Sequence, residues 1–167
     1  MYLCGYHGTS EASANSILKD NSGYTPSSSE HEWLGTGIYF YSNFEDAYVW
    51  KDAEVVLHSV ISVTPDQILD LDSERGMERY RDAEALLQKK VGKELTSDPI
   101  KNQCAICRII WKNCPTIKVI RYSFALPVGD VMALVLANRK RCEFCVRDNS
   151  LIVNTVMIKK EEMRVRK

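Results

Sequence analysis

His7-Gly8-Thr9, and further on Gly35-Thr36-Gly37-Ile38-Tyr39-Phe40, are the residues of this chain whose types and spacing could do chemistry. An imidazole that closes a short apolar stretch can hydrogen-bond a sugar, and a glycine after it lets the backbone come close to a flat ligand. The second segment repeats that logic with glycines ahead of an aromatic residue. Together they read as two walls of one pocket.

Walls of this kind need strands behind them. Tyr2 to His7 reads as a first strand, and Thr9 or Ser10 is a good N-cap for a short helix with Ala14, Ile17 and Leu18 on its inner face. Asn21 to Glu32 is a Ser/Gly/Pro loop between the two walls, polar and flexible in composition, and is expected to act as a lid. Gly37 to Tyr41 reads as a second strand, and Phe44 to Trp50 as a helical turn or two offering Ala47, Tyr48 and Trp50 for packing. Val55 to Val63 alternates as a core strand, with Val55, Leu57, Ser59, Ile61 and Val63 on one face, and Pro65 closes it.

Glu74 to Val91 reads as an amphipathic helix, and Asp98-Pro99 starts another that carries Ile100, Cys104, Cys107, Ile110 and Trp111. This pair, about residues 74–113, reads as an insertion between sheet strands. Further strands are expected at Ile117 to Phe124, Val131 to Leu136, Glu143 to Arg147 and Leu151 to Ile158. No internal repeat or low-complexity linker interrupts the series. One α+β domain spanning residues 1–167 is the expectation.

Composition narrows the function classes. Apolar residues at 45% and charged residues at 26% are globular values that give no sign of disorder. Lys+Arg and Asp+Glu balance at 22 each, so no overall field draws the chain to nucleic acid or to an acidic membrane. The basic stretch Lys159 to Lys167 is interrupted by Glu161 and Glu162 and reads as a solvated terminus. With no apolar run near the roughly 20 residues that span a bilayer, and no signal-peptide pattern, a soluble cytoplasmic protein is expected, with no membrane partner.

Six cysteines should then be reduced. The pairs Cys104/Cys107 and Cys142/Cys145 have the spacing of zinc ligands, but both lie in apolar periodic segments rather than on Gly- or Pro-rich knuckles. They read as small buried thiols, and no metal is expected. His31, in Ser29-Glu30-His31-Glu32, reads as a solvated loop residue, and His58 as a satisfied structural histidine within a strand. There is no Walker loop, dinucleotide-binding glycine fingerprint or Gly-x-Ser-x-Gly elbow.

The order Tyr6-His7-Gly8-Thr9, then Gly35-Thr36-Gly37-Ile38-Tyr39-Phe40, then a nearby aromatic, then a strand opening Glu143-Phe144-Cys145-Val146, resembles the diphtheria-toxin-like and poly(ADP-ribose)-polymerase-like ADP-ribosyltransferases. The resemblance covers roughly residues 2–63 and 117–158; the helical pair between them matches nothing in the family pattern. It implies a fold of split, mainly antiparallel sheets with flanking helices, and a His-Tyr-Glu triad falling on His7, Tyr39 and Glu143. NAD would be a consumed co-substrate. His7 would bind the adenosine-side ribose, the Gly8 backbone the nicotinamide carboxamide, and Tyr39 one face of the nicotinamide ring, with Thr9 beside them. Glu143 would place negative charge where the sugar develops oxocarbenium character. Asp148, Glu45 and Asp46 lack its position at the start of a strand.

Where the family has a second stacking aromatic, the count from Tyr39 falls on Trp50, with Tyr48 as the alternative. Where it has a serine that binds the carboxamide, the count falls on Ala47, which cannot donate, so Ser42 or Tyr48 would have to replace it. The implied activity is transfer of one ADP-ribose unit from NAD to a macromolecule. A protein acceptor is the family default; nucleic acid, a small molecule, water (a glycohydrolase toxin or effector) and a non-catalytic NAD-binding module are the alternatives. Nothing in the sequence addresses oligomeric state.

Overall fold

The computed structural model describes residues 1–19, 23–51, 53–91, 96–125 and 140–159. Their elements are β1 (Tyr2–Thr9), α1 (Glu11–Lys19), β2 (Ile38–Tyr41), α2 (Phe44–Tyr48), β3 (Val55–Ser62), β4 (Ile68–Asp70), α3 (Glu74–Val91), α4 (Pro99–Asn113), β5 (Val119–Ala125), β6 (Lys140–Val146) and β7 (Ile152–Lys159). The expected strand Val131 to Leu136, and the basic stretch beyond Lys159, lie outside the described residues.

The strands hydrogen-bond in the order β4-β5-β6-β2-β1-β3-β7, antiparallel at every step except β4 beside β5. The chain is therefore α+β with a mostly antiparallel sheet. The described strands form one sheet rather than the two that the family resemblance implies, with a seam between β1 and β2 where pairing is least. β1 pairs with β3 along its whole length, from Tyr2 opposite Ser62 to Thr9 opposite Val55, whereas β1 and β2 share the single register pair Tyr6–Tyr41. Beyond that pair, His7 and Tyr39 have no ladder partner across the seam among the described residues.

Strand alternation sorts the sheet's side chains into two faces. On one, Phe40, Leu57, Ile61, Phe144 and Val146 form a core with Ala14 of α1 and with Tyr24, whose hydroxyl meets Ser59 Oγ at 2.8 Å. Ser10 caps α1 as expected, accepting from the Ser13 N–H at 3.2 Å. The other face has two separate covers. α2 sits over Tyr41 and Val56 through Ala47, while α4 lays Ile106, Cys107, Ile110 and Trp111 against Ile120 and Cys145. Between these covers the sheet carries Tyr39, Tyr41 and Glu143.

The helical pair lies between two sheet strands, as expected. Parallel β4 and β5 need a crossover connection, and α3 with α4 supplies it while covering the sheet. The three-residue β4, Ile68–Asp70, is too short for its alternation to be read, so the crossover was hidden. Helix boundaries reflect the local chemistry: the Asp98 side chain accepts from the N–H groups of Ile100 and Lys101 at 2.9 and 3.2 Å, and Pro99 opens the first turn. Burying α4's large apolar side chains contributes about 1.5–3 kcal/mol each, more than the roughly 1 kcal/mol of a hydrogen bond. The sheet fixes α4, and α4 in turn fixes the segments it hydrogen-bonds.

The loop between the two walls is fixed in this way. Cys104 Sγ–H donates to Ser29 O at 3.7 Å, Cys107 Sγ–H to Trp33 O at 3.7 Å, Arg108 to Ser28 O at 2.8 Å, and Trp111 Nε1–H to Leu34 O at 3.1 Å. Ser27 and Gly37 exchange backbone hydrogen bonds at 2.8 and 3.0 Å. The expected flexible lid is, over its described part, a wall pinned to α4. The Ser/Gly/Pro composition suggested mobility because the donors that hold the loop come from about 75 residues away along the chain.

Candidate active site

A cavity of about 430 Å³ opens at the seam, lined by His7 and Gly8 of β1, Tyr39 and Tyr41 of β2, Trp50 and Lys51 after α2, the loop from Thr25 to Trp33, and Arg141 and Glu143 of β6. That volume lies in the range of small-molecule sites.

His7 bridges the seam. Its Nδ1 lies 2.9 Å from the Tyr39 carbonyl oxygen, which can only accept, so Nδ1 carries the proton and Nε2 is left as an acceptor. The ring is held edge-on to Tyr24, with centroids 5.5 Å apart. Burial lowers its pKa, and the bond to the Tyr39 carbonyl opposes that only in part, so the neutral imidazole is favoured. A neutral imidazole whose Nε2 has no hydrogen-bond partner among the described residues suits a sugar hydroxyl.

Tyr39 is used twice by the protein itself. Its hydroxyl donates to Gly35 O at 2.7 Å and accepts the Leu34 N–H at 2.9 Å, which closes the turn ahead of β2. Gly35 has φ +85°, a left-handed conformation that disfavours a side chain, and Trp111 packs where its Cβ would be. Burial pushes the Tyr39 phenol far up, so it stays neutral. What Tyr39 has left to offer a ligand is its ring.

Glu143 stands opposite Tyr41 on β2 and opposite Tyr122 on β5, and only 7% of it is exposed. Burial pushes its carboxyl up, the charge of Arg141 opposes this, and Asp46 and Glu32 add to it. Arg141 Nε lies 2.9 Å from Glu143 Oε1, so the two form an ion pair. Trp50 packs against Tyr41 with centroids 5.9 Å apart, and Lys51 Nζ lies 4.8 Å from the Trp50 ring centre.

Of the residues expected at the site, the cavity brings together His7, Gly8, Tyr39, Trp50 and Glu143. Thr9, Ser42 and Tyr48 do not line it. The Thr9 carbonyl accepts the Glu54 N–H at 2.9 Å, the Ser42 N–H donates to Cys142 O at 3.0 Å, and the Tyr48 ring lies against Phe44 at 5.6 Å. Ala47 is fully buried under β1. A Cβ on Gly8 would meet the Ala47 carbonyl oxygen at 2.2 Å, so this glycine serves the close approach of α2 to β1 as well as any ligand.

Tyr41, Arg141, Lys51, Glu32 and Trp33 were missed. For Tyr41 and Arg141 the signal was available: each lies two residues from a proposed site residue, hence on the same strand face. His31 lines the cavity, 3.8 Å from Asp98 Oδ2. His58 stacks on Tyr6 at 4.9 Å, away from the cavity; contrary to the expectation of a satisfied histidine, its Nε2 is buried without a hydrogen-bond partner among the described residues. Cys104, Cys107 and Cys145 are buried, and among the described residues no group of three or more His, Cys, Asp or Glu side chains could hold a metal. No described helix is long and apolar enough to cross a membrane. No protein-family model matches this sequence, and no curated protein matches it.

Proposed function

We propose that this chain is an ADP-ribosyltransferase that cleaves NAD at the nicotinamide–ribose bond and transfers one ADP-ribose unit to a macromolecule, with protein as the first acceptor to test. The observation that carries the reading is the seam cavity, where a buried carboxylate, a neutral histidine with Nε2 as acceptor and two aromatic rings from separate parts of the chain face one space.

The chemistry asks for what these groups can supply. The C1′–N bond breaks with its electron pair leaving on nicotinamide, and the ribose gains oxocarbenium character. The acceptor then bonds to C1′ and releases a proton. Negative charge fixed beside C1′ lowers that barrier, because it stabilises the transition state more than the ground state. Glu143 is the carboxylate for this role, and a hydrogen bond from a ribose hydroxyl to it strengthens as charge develops. His7 Nε2 takes a hydroxyl of the other ribose, and Tyr39 and Trp50 provide faces for nicotinamide. In this reading Trp50 rather than Tyr48 is the second aromatic, since it alone of the two lines the cavity.

Incubating the protein with adenylate-labelled NAD and cell lysate, then tracing label in protein, RNA, DNA and free ADP-ribose, tests the reading. Label in protein supports it. Label in nucleic acid alone would move the acceptor, and free ADP-ribose alone would make the chain a glycohydrolase. Intact NAD with no released nicotinamide would refute transfer.

A further inference from the structure

We propose that Arg141 is a positioning residue for Glu143, its guanidinium holding the carboxylate charged and turned into the cavity. This rests on the reading of Glu143 as the group that meets the sugar. The two residues lie two apart on one face of β6, with Arg141 Nε 2.9 Å from Glu143 Oε1.

Everything else that faces Glu143 among the described residues is neutral or acidic. Tyr41 and Tyr122 stand across from it on the neighbouring strands, and Asp46 of α2 and Glu32 of the loop wall bring like charge. Lys51, the other cation lining the cavity, lies over the Trp50 ring instead. A carboxylate so enclosed, with two acidic neighbours and no cation, takes up a proton and loses the charge the reaction needs. Arg141 is itself held in place, its Cζ 5.4 Å from the Tyr41 ring centre and its backbone opposite Phe124 on β5. Its guanidinium is paired directly with the carboxylate, so its effect is read through Glu143.

The test is a 13C-carboxyl NMR titration of Glu143, assigned with Glu143→Gln, in wild type, Arg141→Gln and Arg141→Lys. Arg141→Gln should raise the Glu143 midpoint by about 1–3 pH units, the range set by an opposite charge at this distance, and Arg141→Lys should restore much of the shift. The acid limb of kcat/KM for nicotinamide release should move with it. An unchanged midpoint in folded Arg141→Gln overturns the proposal, as does a fall in rate with an unmoved limb, which is what a merely structural residue would give. Arg141→Met, which keeps a stem over Tyr41, carries the same comparison if Arg141→Gln does not fold. If wild type releases no nicotinamide, the transferase reading fails while the titration still decides the role of Arg141.

Discussion

Replacing Gly8 by alanine separates the two demands made on this glycine. The added methyl would lie 2.2 Å from the Ala47 carbonyl oxygen and 3.1 Å from Ala53 Cβ. Carbon and oxygen settle at about 3.3 Å, so β1 and α2 must part by roughly 1 Å. β1 is paired to β3 along its full length, whereas α2 has five residues and an Asn43 cap, so α2 moves and Trp50 moves with it. Overpacking of this kind costs about 1–3 kcal/mol, and at this chain length each kcal/mol lowers Tm by about 2–4 °C, giving a fall of about 2–12 °C. A 1 Å misplacement of a stacking group can also cost about 100-fold in rate. Thermal melts followed by circular dichroism, with NAD titrations read by tryptophan fluorescence, measure both effects. Gly5→Ala is the control: its methyl would press on Phe144 and Phe40 in the core, so Tm should fall with NAD affinity preserved. A Gly8→Ala protein that melts like wild type would refute the packing argument, and loss of NAD binding at unchanged Tm would return Gly8 to ligand approach alone.

Tyr39→Phe keeps the ring but orphans the Leu34 N–H and leaves the Gly35 carbonyl only the weak Cys145 thiol donor at 3.9 Å, so it should cost about 1–3 kcal/mol in urea unfolding, while Tyr39→Ala should in addition weaken NAD binding. Equal NAD affinities for the two variants would remove the ring from the pocket. His7 is depressed by burial, so below about pH 6.5 the unfolded chain binds more protons than the folded one. The stability that neutral His7 confers is complete above that pH and is lost as pH falls through the lower folded value, and His7→Gln should flatten this acid slope in urea midpoints. Trp50→Ala should weaken NAD binding about tenfold, whereas Tyr48→Ala, away from the cavity, should leave it near wild type; the reverse order would exchange their roles.

Much of the fold was readable wherever one element carries its own period. Glu74–Val91 has the same limits in sequence and structure, the Asp98-Pro99 start is a local cap, and the alternation of Val55 to Val63 sorts its side chains as found. β4 was not, since three residues show no period, and without it the parallel crossover made by α3 and α4 cannot be seen. At the site, His7 and Tyr39 could be named because glycines mark them; Glu143, expected to open a strand, instead stands fourth in β6 (Lys140–Val146). The seam could not be read, because it depends on β1 and β2 sharing only Tyr6–Tyr41, a matter of register between strands well separated along the chain. The pinned loop depends in the same way on contacts distant along the chain, whereas Arg141, two residues from Glu143, was within reach of the strand period.

Nicotinamide release from NAD by wild type and Glu143→Gln, with NAD affinity measured on both, tests the central claim most directly. Glu143→Gln keeps the shape of the side chain and removes its charge. Turnover by wild type that falls at least about 100-fold in Glu143→Gln, with NAD affinity within a few-fold, is the predicted result. Equal turnover by the two proteins, or none by wild type, would contradict it.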